Sequence, residues 1–361
     1  MARTWTVTHD FAFVYGGAEL VTQQICEMLG DPALLCIAGD RRVMSSMARN
    51  ARVLAPGFIT ASSYRYFVAT YQMALARMRP IEGNVIASSY AFAHHIPNTG
   101  SKVVYCHSPL RQVWSASNEM RSAGDWKQRL AVDLFARPMR ARDKAVASRA
   151  DLYIATSRAV RDRISRYYGI DRVEIVAPPL DLPPAGLNIE DGSVRSGILW
   201  VGRVIEPYKK LGLLVSAMQE LPDEKLTVIG DGRDLESIRG DAPANVEFKG
   251  WVSRDALADL YASHRLLVFP SEDDFGITVV EAQSQGTPVV AFRGGGALDT
   301  VEEGFSGTFF DEHNTLSVIE GIRRALDMDW DYAAIRDAAR DRYSAGGFRD
   351  RLAEIVAQVD G

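Results

Sequence analysis

The residues best suited to chemistry are two carboxylates near the start of one helix. Residues 266–291 have the pattern of a buried strand, a charged turn, a helix and a second strand, which together form one βαβ unit. Asp273 lies in the turn, and Glu281 lies one or two turns into the helix. With a helical rise of about 1.5 Å per residue they are up to about 12 Å apart, too far to bind one atom together. We therefore expect them to bind different ends of one long ligand.

A nucleotide-sugar is a ligand of that shape. The first amides of a helix that follows a parallel strand favour an anion, so a diphosphate could lie between the two carboxylates. Glu281 could then accept hydrogen bonds from a ribose, while Asp273 could face the other end of the ligand. The simpler alternative is a solvated acidic turn followed by a glutamate on the helix surface.

Strands and helices alternate along the rest of the chain, which predicts parallel sheets with crossover helices. The first unit is a strand at residues 5–8, followed by the turn Gly16-Gly17 and a helix. These two glycines could let a ligand approach the backbone closely, although such a turn is often no more than a turn. His107 follows a strand at residues 103–106, so we expect it at the ligand-binding edge of this sheet.

The other candidate metal ligands are not grouped. His94 and His95 are adjacent, and adjacent side chains point apart on a helix or a strand, so they are interpreted as packing or surface residues without a shared metal. The cysteines Cys26, Cys36 and Cys106 are widely spaced, which indicates neither a disulfide framework nor a zinc site.

Prolines mark the domain boundary. Four of them occur between residues 177 and 186, where they exclude a helix or a central strand. The sequence therefore predicts a first domain at residues 1–180, a linker at 181–186, a second domain at 187–345 and a last helix at 346–361 that could pack against the first domain. A basic, aromatic and helical insertion is expected at residues 118–150.

Composition predicts a soluble protein of the cytoplasm. The 361 residues are 47% hydrophobic and 24% charged, without an apolar run long enough for a membrane span or the apolar core of a signal peptide. Residues 1–190 carry 23 Lys and Arg against 16 Asp and Glu, whereas residues 191–361 carry 18 against 30. The basic half, with amphipathic segments at 64–79 and 118–150, favours peripheral attachment to the anionic inner face of the cell membrane. No nucleic-acid partner is expected.

Several of these segments resemble the retaining GT-B glycosyltransferases of family four, over nearly the whole chain and most closely in residues 198–307. Arg203 and Lys209 look like that family's Arg and Lys pair, and Asp273 and Glu281 look like its two carboxylates with seven residues between them. Three further segments are similar to the bacterial mannosyltransferases that use GDP-mannose: residues 105–114, 207–210 and 294–300.

The resemblance implies an α/β protein with two Rossmann-like, doubly wound parallel-sheet domains that face each other across a cleft. The first would bind the acceptor and the second the nucleotide-sugar. Arg203 and Lys209 would stabilise the charge that develops on the leaving diphosphate, so no metal ion or other cofactor would be required. His107 and Asp273 would complete the catalytic set at the sugar. The implied donor-binding residues are Gly16, Gly17, Gly202, Gly232, Gly250, Trp251, Val252, Phe275, Gly276, Ile277, Thr278 and Glu281.

One departure affects the sugar side. The family usually has Glu where this chain has Asp273, and Glu272 lies next to it. We expect Asp273 to be the sugar-side carboxylate and Glu272 to face solvent. The acidic run at 272–274 could alternatively be the Asp-x-Asp metal site typical of single-domain glycosyltransferases.

The sequence thus predicts transfer of a hexose with retention of configuration, with mannose from GDP-mannose as the expected donor sugar. The expected acceptor is a glycan or a lipid-linked saccharide in cell-surface polysaccharide assembly. One alternative is a transferase that uses a UDP-sugar on a small-molecule or lipid acceptor. The other is a non-catalytic protein that binds a nucleotide-sugar with the same fold.

Overall fold

The computed structural model describes residues 4–55, 59–61, 68–114, 126–186 and 195–359. The chain divides into two compact units, one made of residues 1–179 with 345–361 and the other of residues 180–344. Parts of three predicted segments lie outside the described residues: the start of the helix at 64–79, the first part of the insertion at 118–150, and the beginning of the second domain at 187.

A parallel sheet of seven strands forms the centre of the first unit. Its spatial order is β3, β2, β1, β4, β5, β6, β7, so the winding reverses between β1 and β4. All neighbouring strands pair in parallel. The strands are β1 (Trp5–Ala12), β2 (Ala33–Gly39), β3 (Ala51–Val53), β4 (Asn84–Ser89), β5 (Lys102–Cys106), β6 (Leu152–Ala155) and β7 (Val173–Ile175).

Helices of this unit connect the strands, and the last helix of the chain returns to it. They are α1 (Gly17–Met28), α2 (Arg41–Met47), α3 (Val68–Ala76), α4 (Arg111–Trp114), α5 (Trp126–Ala147), α6 (Arg158–Tyr168) and α14 (Ala345–Ala357), with a 3-10 turn at Ala93–His95. Phe348 and Leu352 of α14 are buried in the same core cluster as Val7 of β1 and Tyr105 of β5. The C-terminal helix is therefore part of the first unit.

The second unit contains a parallel sheet of six strands in the order β10, β9, β8, β11, β12, β13. The strands are β8 (Ile198–Val201), β9 (Leu226–Ile229), β10 (Val246–Gly250), β11 (Leu266–Phe269), β12 (Val289–Phe292) and β13 (Gly307–Phe310). The helices are α7 (Leu211–Met218), α8 (Leu235–Gly240), α9 (Arg254–Ser263), α10 (Ile277–Ser284), α11 (Ala297–Thr300), α12 (Thr315–Leu326) and α13 (Tyr332–Arg342).

The strands of this sheet are apolar, and core clusters cover both of its faces. Leu199 and Trp200 are neighbours in β8, yet they belong to different core clusters, because adjacent side chains of a strand point to opposite faces. Every residue of β9 and β11 is buried. Such continuous apolar runs are typical of the central strands of a parallel sheet with helices on both sides.

The predicted α/β fold with two doubly wound parallel sheets is confirmed. Two of the local features that differ from the prediction are β1 and α13. β1 extends to Ala12, beyond the expected end at residue 8, because the polar residues His9 and Asp10 are fully buried within the sheet. Helix α13 was not predicted, since it buries little more than Ile335 and Ala339 and so has a weak apolar stripe.

Candidate functional site

The start of α10 is built to receive an anion. Gly276 precedes the helix with φ of 81°, and as a glycine it places no side-chain cap on the first turn. The loop of residues 294–296 packs against the turn before the helix: Gly296 N donates to Asp273 O at 2.8 Å, and a Cβ on Gly296 would overlap the backbone of Phe275. These glycines fix the turn, and the first amides of the helix provide partial positive charge beside it.

Lys209 and Asp273 meet at this turn. The Nζ atom of Lys209 donates to Oδ2 of Asp273 at 2.5 Å, and the side chains are 18% and 16% exposed. Oδ1 of Asp273 is buried and has no hydrogen-bond partner among the described residues. Glu272, in contrast, is exposed. The structure thus joins two of the predicted catalytic residues and leaves one buried carboxylate oxygen of Asp273 unsatisfied within the described residues.

Arg203 lies in the loop after β8 with an exposed side chain that forms no ion pair within the described part of the chain. This loop packs backbone to backbone against the loop after β9, where Gly202 N donates to Ile229 O at 3.0 Å. A Cβ on Gly230 would overlap the Gly202 carbonyl, and one on Gly232 would overlap the Val204 carbonyl. Gly232, expected from the resemblance to bind donor, is required here for packing between the loops.

Glu281 is the fifth of the eight residues of α10 and is half-buried, and Tyr261 of α9 donates a hydrogen bond to its Oε2 atom at 3.2 Å. Burial raises the pKa of Glu281 to about 7, against the opposing effects of the Arg254 charge and the Tyr261 hydrogen bond. Burial makes the charged form of this carboxylate less favourable. A carboxylate with such a perturbed pKa is a candidate for a ligand contact.

The remaining predicted donor-binding residues of the second unit differ in how exposed they are. Phe275 is buried against Tyr343, while Ile277 and Thr278 are half-buried in the first turn of α10. Gly250 has φ of 68° and ends β10. Trp251 follows it with 81% of its surface exposed, and Val252 packs on the core. An exposed indole beside a glycine turn has one face available for a planar ligand.

His107, Gly16 and Gly17 belong to the first unit. His107 follows β5, and its Nε2 atom lies 2.9 Å from Ser88 Oγ. The rings of Tyr105 and Tyr90 contact its ring edge to face, with centroids 5.2 Å and 6.3 Å away. Burial, followed by the charge of His9, lowers the pKa of His107 to about 3. The imidazole is therefore neutral at physiological pH.

Gly16 and Gly17 are exposed, and Gly16 precedes α1 in an extended conformation. Its N–H donates to Oε2 of Glu19 at 3.0 Å, so this helix start already carries a carboxylate. Sequence reasoning missed Glu19 and its neighbour His9, which lie 3.4 Å apart in the interior. The signal was available, because three polar residues in a row within a central strand are unusual unless they serve a site.

The expectation that His94 and His95 point apart was wrong. The tight 3-10 turn lets both Nε2 atoms reach Oδ1 of Asp143, at 3.0 and 2.8 Å. Trp114 and Tyr168 donate to Oδ2 of the same carboxylate at 2.7 and 2.9 Å. Among the described residues this is the group of three whose ligand atoms could hold a metal, and the acidic run at 272–274 forms no such group. With four donors around it, Asp143 is satisfied as a buried hydrogen-bond centre.

Residues 195–328 match the family model for glycosyl transferases group 1. The sulfoquinovosyl transferase SQD2 of Arabidopsis thaliana is 37% identical over 165 residues, which cover 44% of this chain and 32% of the plant protein. A D-inositol 3-phosphate glycosyltransferase of Xylanimonas cellulosilytica is 29% identical over 244 residues, 59% of this chain and 58% of the bacterial protein. The chain thus spans only part of the length of either curated relative.

Solved structures share the fold over almost the whole chain. HepE from Anabaena, solved in complex with UDP and glucose, has a TM-score of 0.70 at 18% identity and covers 98% of this chain and 100% of its own. Sucrose-phosphate synthase from Thermosynechococcus elongatus has a TM-score of 0.71 at 18% identity and covers 99% of both chains. At such low identity the likeness shows the fold, and the predicted GT-B fold is confirmed.

Proposed function

We propose that this chain is a retaining glycosyltransferase that moves a hexose from a nucleotide-sugar without the help of a metal ion. The observation that carries the proposal is the contact between Lys209 and Asp273 beside the open start of α10. One group suits a leaving diphosphate and the other suits a sugar hydroxyl, so the bond between sugar and phosphate would lie over this pair. The match of residues 195–328 to group 1 glycosyl transferases supports the same reading.

In this mechanism Arg203, Lys209 and the α10 amides stabilise the negative charge that develops as the anomeric bond breaks. Such donors lower the barrier because they bind the transition state more strongly than the ground state. The acceptor hydroxyl attacks from the face that the diphosphate leaves, and a phosphate oxygen takes its proton. Glu281 anchors the ribose, and His107 binds a hydroxyl of the sugar.

We propose mannose from GDP-mannose as the transferred group, on the similarity of residues 105–114, 207–210 and 294–300 to the mannosyltransferases. The third of these segments packs tightly on the turn around Asp273, so its glycines also have a role that does not depend on the donor. A UDP-sugar is the second candidate, because HepE was solved with UDP and glucose.

The proposed acceptor is a glycan or lipid-linked saccharide, and the name of the bacterial relatives adds a phosphorylated inositol as a candidate.

We also propose peripheral attachment to an anionic membrane. Within the described residues no helix is long and apolar enough to cross a bilayer. Tyr71 and Leu75 of α3 pack in the core, so the apolar stripe expected to face the membrane there belongs to the interior. Attachment would then depend on exposed arginines.

Ligand-dependent thermal stability, combined with donor hydrolysis, tests this function. GDP, UDP and ADP, each with and without a hexose, are compared at equal concentration, since a ligand at about 100 times its Kd adds about 2.7 kcal/mol of stability. Selective stabilisation by GDP-mannose with release of GDP supports the proposal, and selective stabilisation by a UDP-sugar supports the second candidate. Binding without hydrolysis or transfer to any acceptor would indicate a non-catalytic protein. The variant Glu281→Gln tests the proposed ribose contact in the same assay. Glu272→Gln is its matched control, because both changes remove one carboxylate from the same segment.

A further inference from the structure

Two side chains that follow β9 hold the loop between β8 and α7. Glu206, in this loop, donates its N–H to Oδ2 of Asp234 at 2.8 Å, and its carbonyl accepts from Nη2 of Arg233 at 3.0 Å. Arg233 Nε donates to the same Oδ2 of Asp234 at 3.1 Å. The Glu206 side chain accepts from Gly212 N, in the first turn of α7, at 3.1 Å. Both backbone polar groups of Glu206 are therefore bound by side chains from another segment.

Asp234 stabilises this loop instead of its own helix. It occupies the N-cap position of α8, where an aspartate side chain usually accepts from the first amides of the helix that follows. Here it forms no such bond, and its Oδ2 receives the N–H of Glu206. The Glu206 amide, followed by Arg233, lowers the pKa of Asp234 below its ordinary value, so the carboxylate is charged at physiological pH.

A hydrogen-bonded turn connects Glu206 to Lys209. Lys209 N donates to the Ile205 carbonyl at 2.8 Å, which closes residues 205–209 into a single turn. At the end of its side chain, Lys209 contacts Asp273. The point from which Lys209 reaches Asp273 therefore depends on where Glu206 is held.

Arg203, at the start of the same loop, is held differently. The next residue, Val204, donates its N–H to the Asp231 carbonyl at 2.9 Å and accepts from Asp234 N at 3.4 Å. These bonds use backbone atoms alone, so removing the Asp234 side chain leaves their donors and acceptors in place. The side chain of Asp234 acts on the Lys209 end of the loop.

We propose that Asp234, together with Arg233, is a positioning residue for Lys209: through Glu206 it holds the turn that presents the ammonium group to the leaving diphosphate. A displacement of about 1 Å can reduce the rate of a reaction about 100-fold, so a small shift of this turn is sufficient. The consequence for transfer rests on the function proposed above, whereas the hold on the turn does not.

Three variants separate the hydrogen bonds from the charge and from general effects on α8. Asp234→Ala removes the acceptor from Glu206 N. Both bonds to Asp234 end on Oδ2, so the carboxamide oxygen in Asp234→Asn can accept both while the negative charge is lost. Glu236→Ala is the matched control, because Glu236 is an exposed carboxylate of α8 that pairs with Arg239 of the same helix.

Amide hydrogen exchange, measured by NMR without ligand, tests the hold on the turn. In Asp234→Ala the amides of Glu206 and Lys209 should exchange about 10-fold faster than in wild type, as expected when a hydrogen bond to a carboxylate is lost. Amides of β11 should be unaffected, which distinguishes a loosened turn from a less stable unit. Asp234→Asn and Glu236→Ala should exchange like wild type. Unchanged exchange of both amides in Asp234→Ala would overturn the proposal.

Arg233→Met keeps the test decisive if Asp234→Ala does not fold. Arg233 is exposed, and methionine retains much of the apolar stem without the donors. Loss of the bond to the Glu206 carbonyl should speed exchange of the Lys209 amide about 3-fold, because one hydrogen bond is removed. Equal exchange in wild type and this variant would overturn the role of the pair.

Glycosyl transfer tests the consequence for Lys209. Asp234→Ala should lower kcat about 10-fold and leave nucleotide affinity unchanged, because a displaced cation acts less well on charge that develops during bond breaking. Asp234→Asn should keep most of the rate. Equal losses of kcat in the two variants would assign the effect to the charge of Asp234 and overturn the positioning role.

A double-mutant cycle identifies the group through which Asp234 acts. In a Lys209→Ala background Asp234→Ala should lower kcat no further, whereas in an Arg203→Ala background its effect should persist. Losses of the same size in both backgrounds would overturn Lys209 as the group that is positioned. A wild-type protein that transfers no hexose from any nucleotide-sugar would instead refute the proposed function, and amide exchange would still decide whether Asp234 holds the turn.

Discussion

The ammonium group of Lys209 and the carboxylate of Asp273, separated by 64 residues in the chain, are 2.5 Å apart. Both side chains are largely buried, and the second oxygen of Asp273 has no partner within the described residues. A cation and an acceptor with spare capacity therefore occupy one point beside the helix amides of α10. A ligand with a phosphate next to a hydroxyl-bearing ring can use all three groups at once.

Lys209→Ala should lower kcat about 100-fold or more, with a smaller effect on nucleotide affinity, because the cation is proposed to act on charge that develops during bond breaking. The same change at Arg203 should act in the same direction. Steady-state kinetics of transfer, together with calorimetric nucleotide binding, measures both effects. Lys225→Ala, at an exposed position of the same unit, is the control. Unchanged kcat in Lys209→Ala would contradict the assignment.

Asp273→Ala should reduce transfer far more than Glu272→Ala. Asp273 is half-buried and bound to Lys209, whereas the Glu272 side chain is exposed. Removing Asp273 also leaves Lys209 without its partner, so Asp273→Asn is included to keep the shape of the side chain. Relative transfer rates at saturating donor decide the question. If the Glu272 variant lost more activity, the turn would have to bring Glu272 inward when donor binds.

The sequence was sufficient for the fold because the fold depends on local patterns. Apolar runs such as β11 and the glycine turn at Gly276 are visible in a single segment. The contact between Lys209 and Asp273 and the contact between His9 and Glu19 join residues on different elements. Sequence spacing does not encode which rotamers meet across a sheet, so those pairings required the structure.

The adjacent residues His94 and His95 also show that local sequence does not predict contacts between distant segments. On a regular helix or strand their directions would diverge, but the 3-10 turn at Ala93–His95 and the approach of α5 bring both rings to Asp143. Nothing in the local sequence pattern marks a partner 48 residues away. Gly232 shows a different limit. The resemblance implies that it binds donor, whereas the close approach seen in the structure is to the Val204 carbonyl of another loop.

Glu281→Gln should raise stability at high pH and lower nucleotide affinity. The pKa of Glu281 is raised from 4.5 to about 7, mainly by burial. The unfolded chain loses this proton near pH 4.5 and the folded protein near pH 7, so the group destabilises the folded state progressively between these values and fully above them. The gain in the variant should therefore be small at pH 5 and reach up to about 3 kcal/mol at pH 8, as measured by denaturant unfolding.

Nucleotide binding to the same variant should weaken by about 1.5–3 kcal/mol, because a charge-assisted hydrogen bond to the ribose is lost. A more stable protein that binds its ligand less well would indicate that the buried carboxylate is retained for function. Normal affinity for free nucleoside diphosphate would rule out the ribose contact. A stability gain that does not depend on pH would contradict the titration of Glu281.

His95 should make stability fall on the acid side of neutrality. Burial, with the charge of His94, lowers the pKa of His95 from 6.5 to about 4. Between these values the unfolded chain binds a proton that the folded protein does not, so stability is fully present above pH 6.5 and is lost as the pH falls towards 4. His95→Gln can still donate to Asp143 but cannot titrate, so its stability should depend less steeply on pH across this window. If the free energy of unfolding, measured in urea, changes equally steeply with pH in wild type and variant, this role of His95 is contradicted.

Exposed arginines of α2 should determine binding to anionic membranes. Arg41 and Arg42 line a surface cavity of about 350 Å³ together with Arg49. They are better test sites than Arg140, which donates to the Val113 carbonyl at 2.8 Å and lies over the Trp114 ring, so that replacing it would disturb packing.

Each cation near an anionic surface contributes about 1 kcal/mol, so replacing both Arg41 and Arg42 by Ser should weaken vesicle binding about 30-fold. Co-sedimentation with vesicles of anionic or neutral phospholipid, at low and high salt, measures this binding. Arg239 and Arg323, exposed arginines of the acidic second unit, provide the control pair. Attachment through charge requires binding to anionic vesicles alone, a decrease with salt and a loss confined to the α2 pair. Absence of binding at low salt would exclude charge-driven attachment, because screening is then weakest.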